Sequence, residues 1–170
     1  MPLLYSFSGL PATGKTTLAM RLSRRVRAAY LRIDTIEQAL RDLTSLDVQA
    51  EGYELAYRIA EDSLRVGVDV VADCCNPVET SRSDWKEVAV RAGCHCRNIE
   101  VVCSNLVEHR QRAEMRPSTV AGLQLPTWRE IQTREYDPWK EQRLIIDTAG
   151  SSEEDSFADL LRKLADIPHG

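Results

Sequence analysis

No apolar run in this sequence approaches the roughly 20 residues needed to span a bilayer. Nor is there an excess of basic residues, since the formal net charge is −4. A chain of that balance has no general field to attract nucleic acid or an anionic membrane, so any handling of phosphate must come from local groups. The opening residues, Met1-Pro2-Leu3-Leu4-Tyr5-Ser6-Phe7-Ser8, lack the basic region of a secretory leader, and a cytoplasmic location is the expectation. Five cysteines, Cys74, Cys75, Cys94, Cys96 and Cys103, are an odd number that suits reduced thiols better than a disulfide framework. Cys94-His95-Cys96 spaces its side chains too closely for structural zinc, which takes ligand pairs about two to four residues apart. That run reads instead as the start of a strand with buried thiols.

What is present suits one domain over residues 1–170, with 43% hydrophobic and 28% charged residues and length for a single core. Short β-like runs alternate with helical patterns, and no linker or repeat interrupts them. Strands are expected at Leu3–Phe7, Ala29–Ile33, Val66–Ala72, Asn98–Cys103 and Leu144–Asp147. Between them Leu18, Leu22 and Val26 recur at helical spacing, as do Ile36, Ala39, Leu40 and Leu43. Ala56, Ile59, Ala60 and Leu64 mark a helix around Glu51–Arg65, and Trp85, Val88, Ala89 and Ala92 another. Thr127 with Glu130, and Ser151 with Glu154, have the spacing of helix-opening capping pairs. Strands apolar on both faces and separated by helices predict an α/β fold, a doubly wound parallel sheet. Arg116 to Pro126, with two prolines and a glycine, is the candidate for a mobile flap, part of a short lid over roughly residues 110–127.

The run Gly9-Leu10-Pro11-Ala12-Thr13-Gly14-Lys15-Thr16 fits the P-loop pattern G-x-x-x-x-G-K-[ST] at every position, with a strand before it and an amphipathic helix after it. Glycines at both ends let successive backbone N–H groups face an anion, and the helix N-terminus adds its partial positive charge. Lys15 would reach the β- and γ-phosphates and the Thr16 hydroxyl could ligate Mg²⁺, with Thr17 beside it. A P-loop alone specifies nucleotide binding and leaves the chemistry open.

Residues at strand C-terminal ends share an edge with the P-loop, where ligands bind in a parallel sheet. Asp34, closing the second strand, could take the proton of an attacking hydroxyl, although Asp34 with Glu37 also spells a helix cap. Asp73, ending the third strand, could serve Mg²⁺ or the acceptor, and Asn76 and Arg82 just beyond are candidates of the same kind. Arg110, Arg112 and Arg116 precede the flap and could clamp transferring phosphate, with Arg112 and Arg116 on one helical face and Arg110 turned away. Asp147-Thr148-Ala149-Gly150 resembles a GTPase switch element, but no guanine-reading Asn-Lys-x-Asp follows, so this loop is expected beside the nucleotide base. Trp128, Tyr136 and Trp139 have no accompanying basic stripe and are read as packing residues rather than a platform for bases.

Taken together these motifs resemble the small P-loop kinases that include chloramphenicol phosphotransferase, zeta toxins and polynucleotide kinase domains, and above all the predicted-kinase group of AAA-family ATPases. The likeness runs through the P-loop, Ile33-Asp34-Thr35-Ile36, Ala72-Asp73-Cys74-Cys75-Asn76-Pro77, the His109–Trp128 region and Ile146-Asp147-Thr148. It implies an adenylate-kinase-like core of strand order 2-3-1-4-5, ATP as donor and Mg²⁺ as its metal. It further implies that Asp34 acts as general base and that lid arginines hold phosphates. One departure is that the third strand ends in a single carboxylate, Asp73, which shifts Mg²⁺ toward Thr16 and the phosphates. The expected activity is transfer of the γ-phosphate to a small-molecule hydroxyl. The alternatives are a polynucleotide 5′-hydroxyl kinase, which the charge balance disfavours, and an ATPase switch protein without acceptor chemistry.

Overall fold

A computed structural model describes residues 1–44 and 47–167. Five strands, β1 (Leu3–Ser8), β2 (Ala29–Arg32), β3 (Val70–Asp73), β4 (His95–Val102) and β5 (Leu144–Asp147), form one sheet. Its order is β2-β3-β1-β4-β5 with every pairing parallel. The helices are α1 (Lys15–Val26), α2 (Ile33–Leu43), α3 (Glu51–Arg65), α4 (Glu79–Arg91), α5 (Leu106–Met115), the short α6 (Trp128–Gln132) and α7 (Glu153–Ala165).

The sheet is covered on both faces, and the pleat of β1 shows how. Leu4 belongs to the apolar cluster under α3 and α4, with Ala56, Leu64 and Trp85. Tyr5 and Phe7 point the other way, into the cluster under α1 and α7 with Leu18, Leu22 and Leu160. β1 therefore sits between two cores and holds the P-loop at its end from both sides.

Several boundaries differ from the sequence reading, each for a local reason. β3 starts at Val70 because Val66 ends α3 and Gly67 turns the chain at φ 86°. Asp69 is used as a cap, its Oδ1 accepting from the Leu3 N–H at 2.9 Å. β4 begins at His95, three residues before Asn98, because the edge beside β1 is already paired from Leu3 with His95. β2 stops at Arg32, and Asp34 lies in the first turn of α2 with no capping hydrogen bond, so the Asp34–Glu37 cap is not formed. The last helix is opened by Ser152 with Asp155, one residue beyond the expected pair. Ile59 is 40% exposed and lies off the buried stripe of Ala56, Ala60 and Leu64. Thr127 and Glu130 make both bonds of a capping box, as their spacing predicts. No helix among the described residues is long and apolar enough to cross a membrane.

Candidate functional site

The C-terminal edge of the sheet opens into a cavity of about 1420 Å³, lined by the P-loop, the start of α2, the Arg116–Pro126 segment and the loop after β5. The P-loop bends through a left-handed Ala12 (φ 68°) and Gly14 (φ 92°), which directs consecutive backbone N–H groups toward one side. At Gly9 the φ is 137°, and a Cβ there would lie 2.2 Å from the Val101 carbonyl oxygen, so only glycine fits against β4. Helix α1 starts with no acidic residue and no side-chain cap, which leaves its first N–H groups for an anion. Gly14, Lys15, Thr16 and Thr17 line the cavity, together with Pro11 and Ala12. Leu10 and Thr13 serve the loop itself, with the Thr13 hydroxyl donating to Leu10 O at 3.0 Å.

Lys15 is buried and its Nζ lies 3.8 Å from Asp73 Oδ1. Burial opposes its charge, but Cys75, Asp73 and Asp34 outweigh that and hold the ammonium above its ordinary value. Asp73 is the hub behind it. Its Oδ2 accepts from the Tyr30 hydroxyl at 2.7 Å and stands 3.9 Å from Arg32 Nε. Burial and the Asp73 charge together push the Tyr30 phenol up, so it stays a donor.

With no nucleotide bound, that arrangement commits Asp73, expected to serve metal or acceptor, to cations of the protein itself. Its side chain is 2% exposed, with a cation near each oxygen, so a divalent ion there would be a third positive charge in a closed space. Among the described residues no group of three or more His, Cys, Asp or Glu side chains could hold an ion. Thr16, on the cavity wall beside Lys15, fits a hydroxyl ligand for an Mg²⁺ that the nucleotide phosphates bring with them.

Asp34 projects into the cavity with its side chain 51% exposed and Arg32 Nη2 3.8 Å away. Arg112 also reaches the cavity, but it is held in place. It pairs with Glu108, and its Nη1 and Nη2 donate to Thr148 Oγ1 at 2.7 Å and Thr148 O at 2.9 Å. Thr148 in turn donates to Thr13 O at 2.8 Å, so the loop after β5 braces the P-loop backbone rather than standing only beside a base. Arg116 follows α5 in extended conformation and lines the cavity, with its buried Nε lacking any acceptor. Burial draws its guanidinium down from its ordinary value, against the opposing pull of Asp34.

Three of the expected ligand residues, Arg110, Asn76 and Arg82, do not line the cavity. Arg110 is 60% exposed on the solvent side of α5 and paired with Glu114, outside the cavity. Asn76 is fully buried, and its amide donates to Ser6 Oγ, Phe7 O and Ser8 Oγ at 3.1 to 3.2 Å. Ser6 and Ser8 alternate onto the face opposite Phe7, and Asn76 satisfies that polar strip. Arg82 donates to Asn76 O at 2.9 Å and lies between the Tyr136 and Trp139 rings at 4.8 and 4.3 Å. Tyr136 and Trp139 are thus packing residues, and Trp128 sits edge-on to the His109 ring at 5.1 Å.

Two contributions escaped the sequence reading. His109 is buried and its Nε2 lies 2.8 Å from Pro11 O, tying α5 to the P-loop. Arg32 reaches both Asp34 and Asp73, and its position at a strand end next to Asp34 was the signal that could have found it. The irregular segment over the cavity begins at Arg116, because residues 110–115 are helical.

The profile of the AAA domain family matches residues 4–133. Comparison with curated proteins returns no significant match. Among solved structures, a gluconokinase from Sinorhizobium meliloti 1021 is 16% identical with a TM-score of 0.68, over 96% of this chain and 92% of that one. The Mycobacterium tuberculosis APS kinase CysC in complex with AMPPNP and APS is 17% identical with a TM-score of 0.67, over 97% and 98%. Chaetomium thermophilum Kti12 in complex with ADP-AlF3 is 19% identical with a TM-score of 0.70, over 98% and 100%. At these identities the structures speak for the fold, and the sheet order agrees with the small P-loop kinase class. With the family profile extending over most of its length, the chain belongs to the AAA domain family of P-loop proteins.

Proposed function

We propose that this protein is an ATP-dependent kinase that moves the γ-phosphoryl group onto a hydroxyl of a small molecule. One observation carries the reading: Asp34 faces the same cavity as Lys15 and the first turn of α1. At about 1420 Å³ that cavity exceeds what a single small ligand needs, which suits a donor and an acceptor side by side. The gluconokinase and APS kinase folds support kinase chemistry in general terms.

In this mechanism the P-loop N–H groups and Lys15 hold the β- and γ-phosphates, and Lys15 exchanges Asp73 for phosphate oxygen as the nucleotide enters. Mg²⁺, held by Thr16 and the phosphates, would offset charge on the transferring group. Asp34 orients the acceptor hydroxyl and takes its proton as the new O–P bond forms and the bond to ADP breaks. Lys15, the P-loop N–H groups and the metal meet the charge that grows on the equatorial oxygens, and Arg116, close to Asp34, is left to the acceptor side. Arg112 sets the loop after β5 against the P-loop.

The test is Asp34→Asn. Nucleotide affinity should stay within about threefold, while acceptor-dependent ADP release falls by about 10²- to 10⁴-fold. Turnover equal to wild type would sink the assignment of Asp34.

A further inference from the structure

The acceptor end of the cavity holds more positive than negative charge. Arg32, Arg41, Arg116 and Arg134 line it, against the carboxylates of Asp34 and Glu37. Arg41 is matched by Glu37, with 3.2 Å between them. Asp73 already has Lys15 and the Tyr30 hydroxyl as partners. Arg32 donates from Nη1 to Thr119 Oγ1 at 2.8 Å, but its Nε, like that of Arg116, is buried without a hydrogen-bond partner. The contacts of Arg32 with Asp34 and Asp73, at 3.8 and 3.9 Å, are ion pairs beyond hydrogen-bond reach. Burial weighs most against a charged Arg116, Asp34 and Cys75 favour its charge, and Arg32 opposes it more weakly. A like-charged pair, partly desolvated and with unmet N–H donors, is costly to maintain unless an anion completes it. The planar guanidinium fork matches carboxylate, phosphate and sulfate oxygens in pairs.

The donor nucleotide does not account for both. Its phosphates have the P-loop amides and Lys15, and Arg112 is taken by Glu108 and Thr148. Arg32 flanks Asp34, so an anion held there would belong to the molecule whose hydroxyl Asp34 contacts. We propose that Arg32 and Arg116 form an anion subsite, and that the acceptor phosphorylated by this enzyme itself carries a carboxylate, phosphate or sulfate group. The proposal rests on the kinase reading and names its substrate class.

The experiment fills the donor site first. Protein saturated with Mg·AMPPNP is titrated with sodium sulfate and followed by NMR, in wild type, Arg32→Gln, Arg116→Gln, Arg32→Lys and Arg58→Gln. Arg58 is exposed on α3 and controls for loss of one charge. Each glutamine variant at the cavity should weaken sulfate by about tenfold or more, Arg32→Lys should fall between, and Arg58→Gln should match wild type. Arg116→Gln keeps the test decisive if Arg32→Gln loses stability through Asp73. Sulfate binding that disappears once AMPPNP is bound, or that ignores both arginines, overturns the subsite. In parallel, hydroxy acids and their methyl esters are compared as acceptors by ADP release, with the acid expected to lead by about tenfold or more in kcat/KM. An ester used as well as its acid overturns the proposal and leaves the kinase reading intact. Sulfate bound through both arginines, with no ADP release from any acceptor, upholds the subsite and tells against the kinase reading.

Discussion

Replacing Asp73 by alanine should cost about 4 kcal/mol of folding stability, and the structure explains the size. The carboxylate lies 3.8 Å from Lys15 and 3.9 Å from Arg32. At the dielectric of a partly buried site each pair is worth about 4 kcal/mol before desolvation. Burial of all three charges consumes most of that gain. Removing the carboxylate alone keeps the desolvation of both cations and discards what offset it, a change that costs about 3–5 kcal/mol. The Tyr30 hydroxyl, 2.7 Å from Asp73 Oδ2, loses its acceptor as well. Asp73→Asn retains an oxygen for Tyr30 and should cost about 1 kcal/mol less than alanine, and Tyr30→Phe alone about 1 kcal/mol. In a chain of 170 residues, the alanine variant should melt about 8–16 °C lower. Urea unfolding followed by circular dichroism gives all three values, provided the slope with denaturant is unchanged. Saturating Mg·ATP should narrow the gap, because phosphate then replaces Asp73 at Lys15. An alanine variant within about 1 kcal/mol of wild type, or an asparagine variant equal to it, would refute the view that this charge holds the site together.

Gly9→Ala should lose about 3 kcal/mol or more and much of its nucleotide affinity, since its Cβ would meet the Val101 backbone oxygen at 2.2 Å; a normal melt with normal binding would contradict this. Burial raises the Glu37 carboxyl above its ordinary value, with Arg41 opposing the rise and Asp34 adding to it. A raised carboxyl contributes stability that is complete below its unfolded pKa of about 4.3 and is lost as pH climbs through the folded value. Glu37→Gln should therefore gain on wild type over that window and hold its advantage above it, and a difference flat with pH in denaturation experiments would count against the reasoning. Cys75 lines the cavity and is partly exposed, whereas Cys74, Cys94 and Cys103 are buried and burial pushes the Cys96 thiol up to about 12. A thiol reagent at neutral pH should modify Cys75 first and be slowed by Mg·ATP, as read by mass spectrometry; modification led by Cys96, or indifference to nucleotide, would argue otherwise.

What could be read from sequence was what local chemistry decides. The P-loop is contiguous, the α3 stripe repeats on its own period, and the Thr127–Glu130 cap closes over three residues. Asp34 was legible as a cavity residue because a strand end and a helix start are a few residues from each other. Arg32 was not, because its value comes from Asp73, which joins it only when β2 and β3 pair with Arg32 opposite Asp73. Asn76 and Arg82 look like ligand residues by type. Their partners, Ser6, Ser8, Tyr136 and Trp139, are supplied by distant stretches of chain, and those contacts make them structural. The three lid arginines were separable only in part. The helical face turned Arg110 away, but α5 ends at Met115 and releases Arg116 into extended chain.

The fastenings of α5 bear on how the site could open. His109 is joined to Pro11, Arg112 to Thr148, and Glu108 accepts from the Gly150 N–H at 2.9 Å. With these three anchors between Glu108 and Arg112, the middle of α5 is fastened to the P-loop and to the loop after β5 and does not act as a swinging arm. For the proposed kinase, the pivot for admitting substrate would then be Arg116, where the helix ends, and the moving part the strip from there to Pro126. A strip that short can cover the acceptor without carrying the donor's phosphates along. Nucleotide could then stay seated while one acceptor leaves and the next arrives.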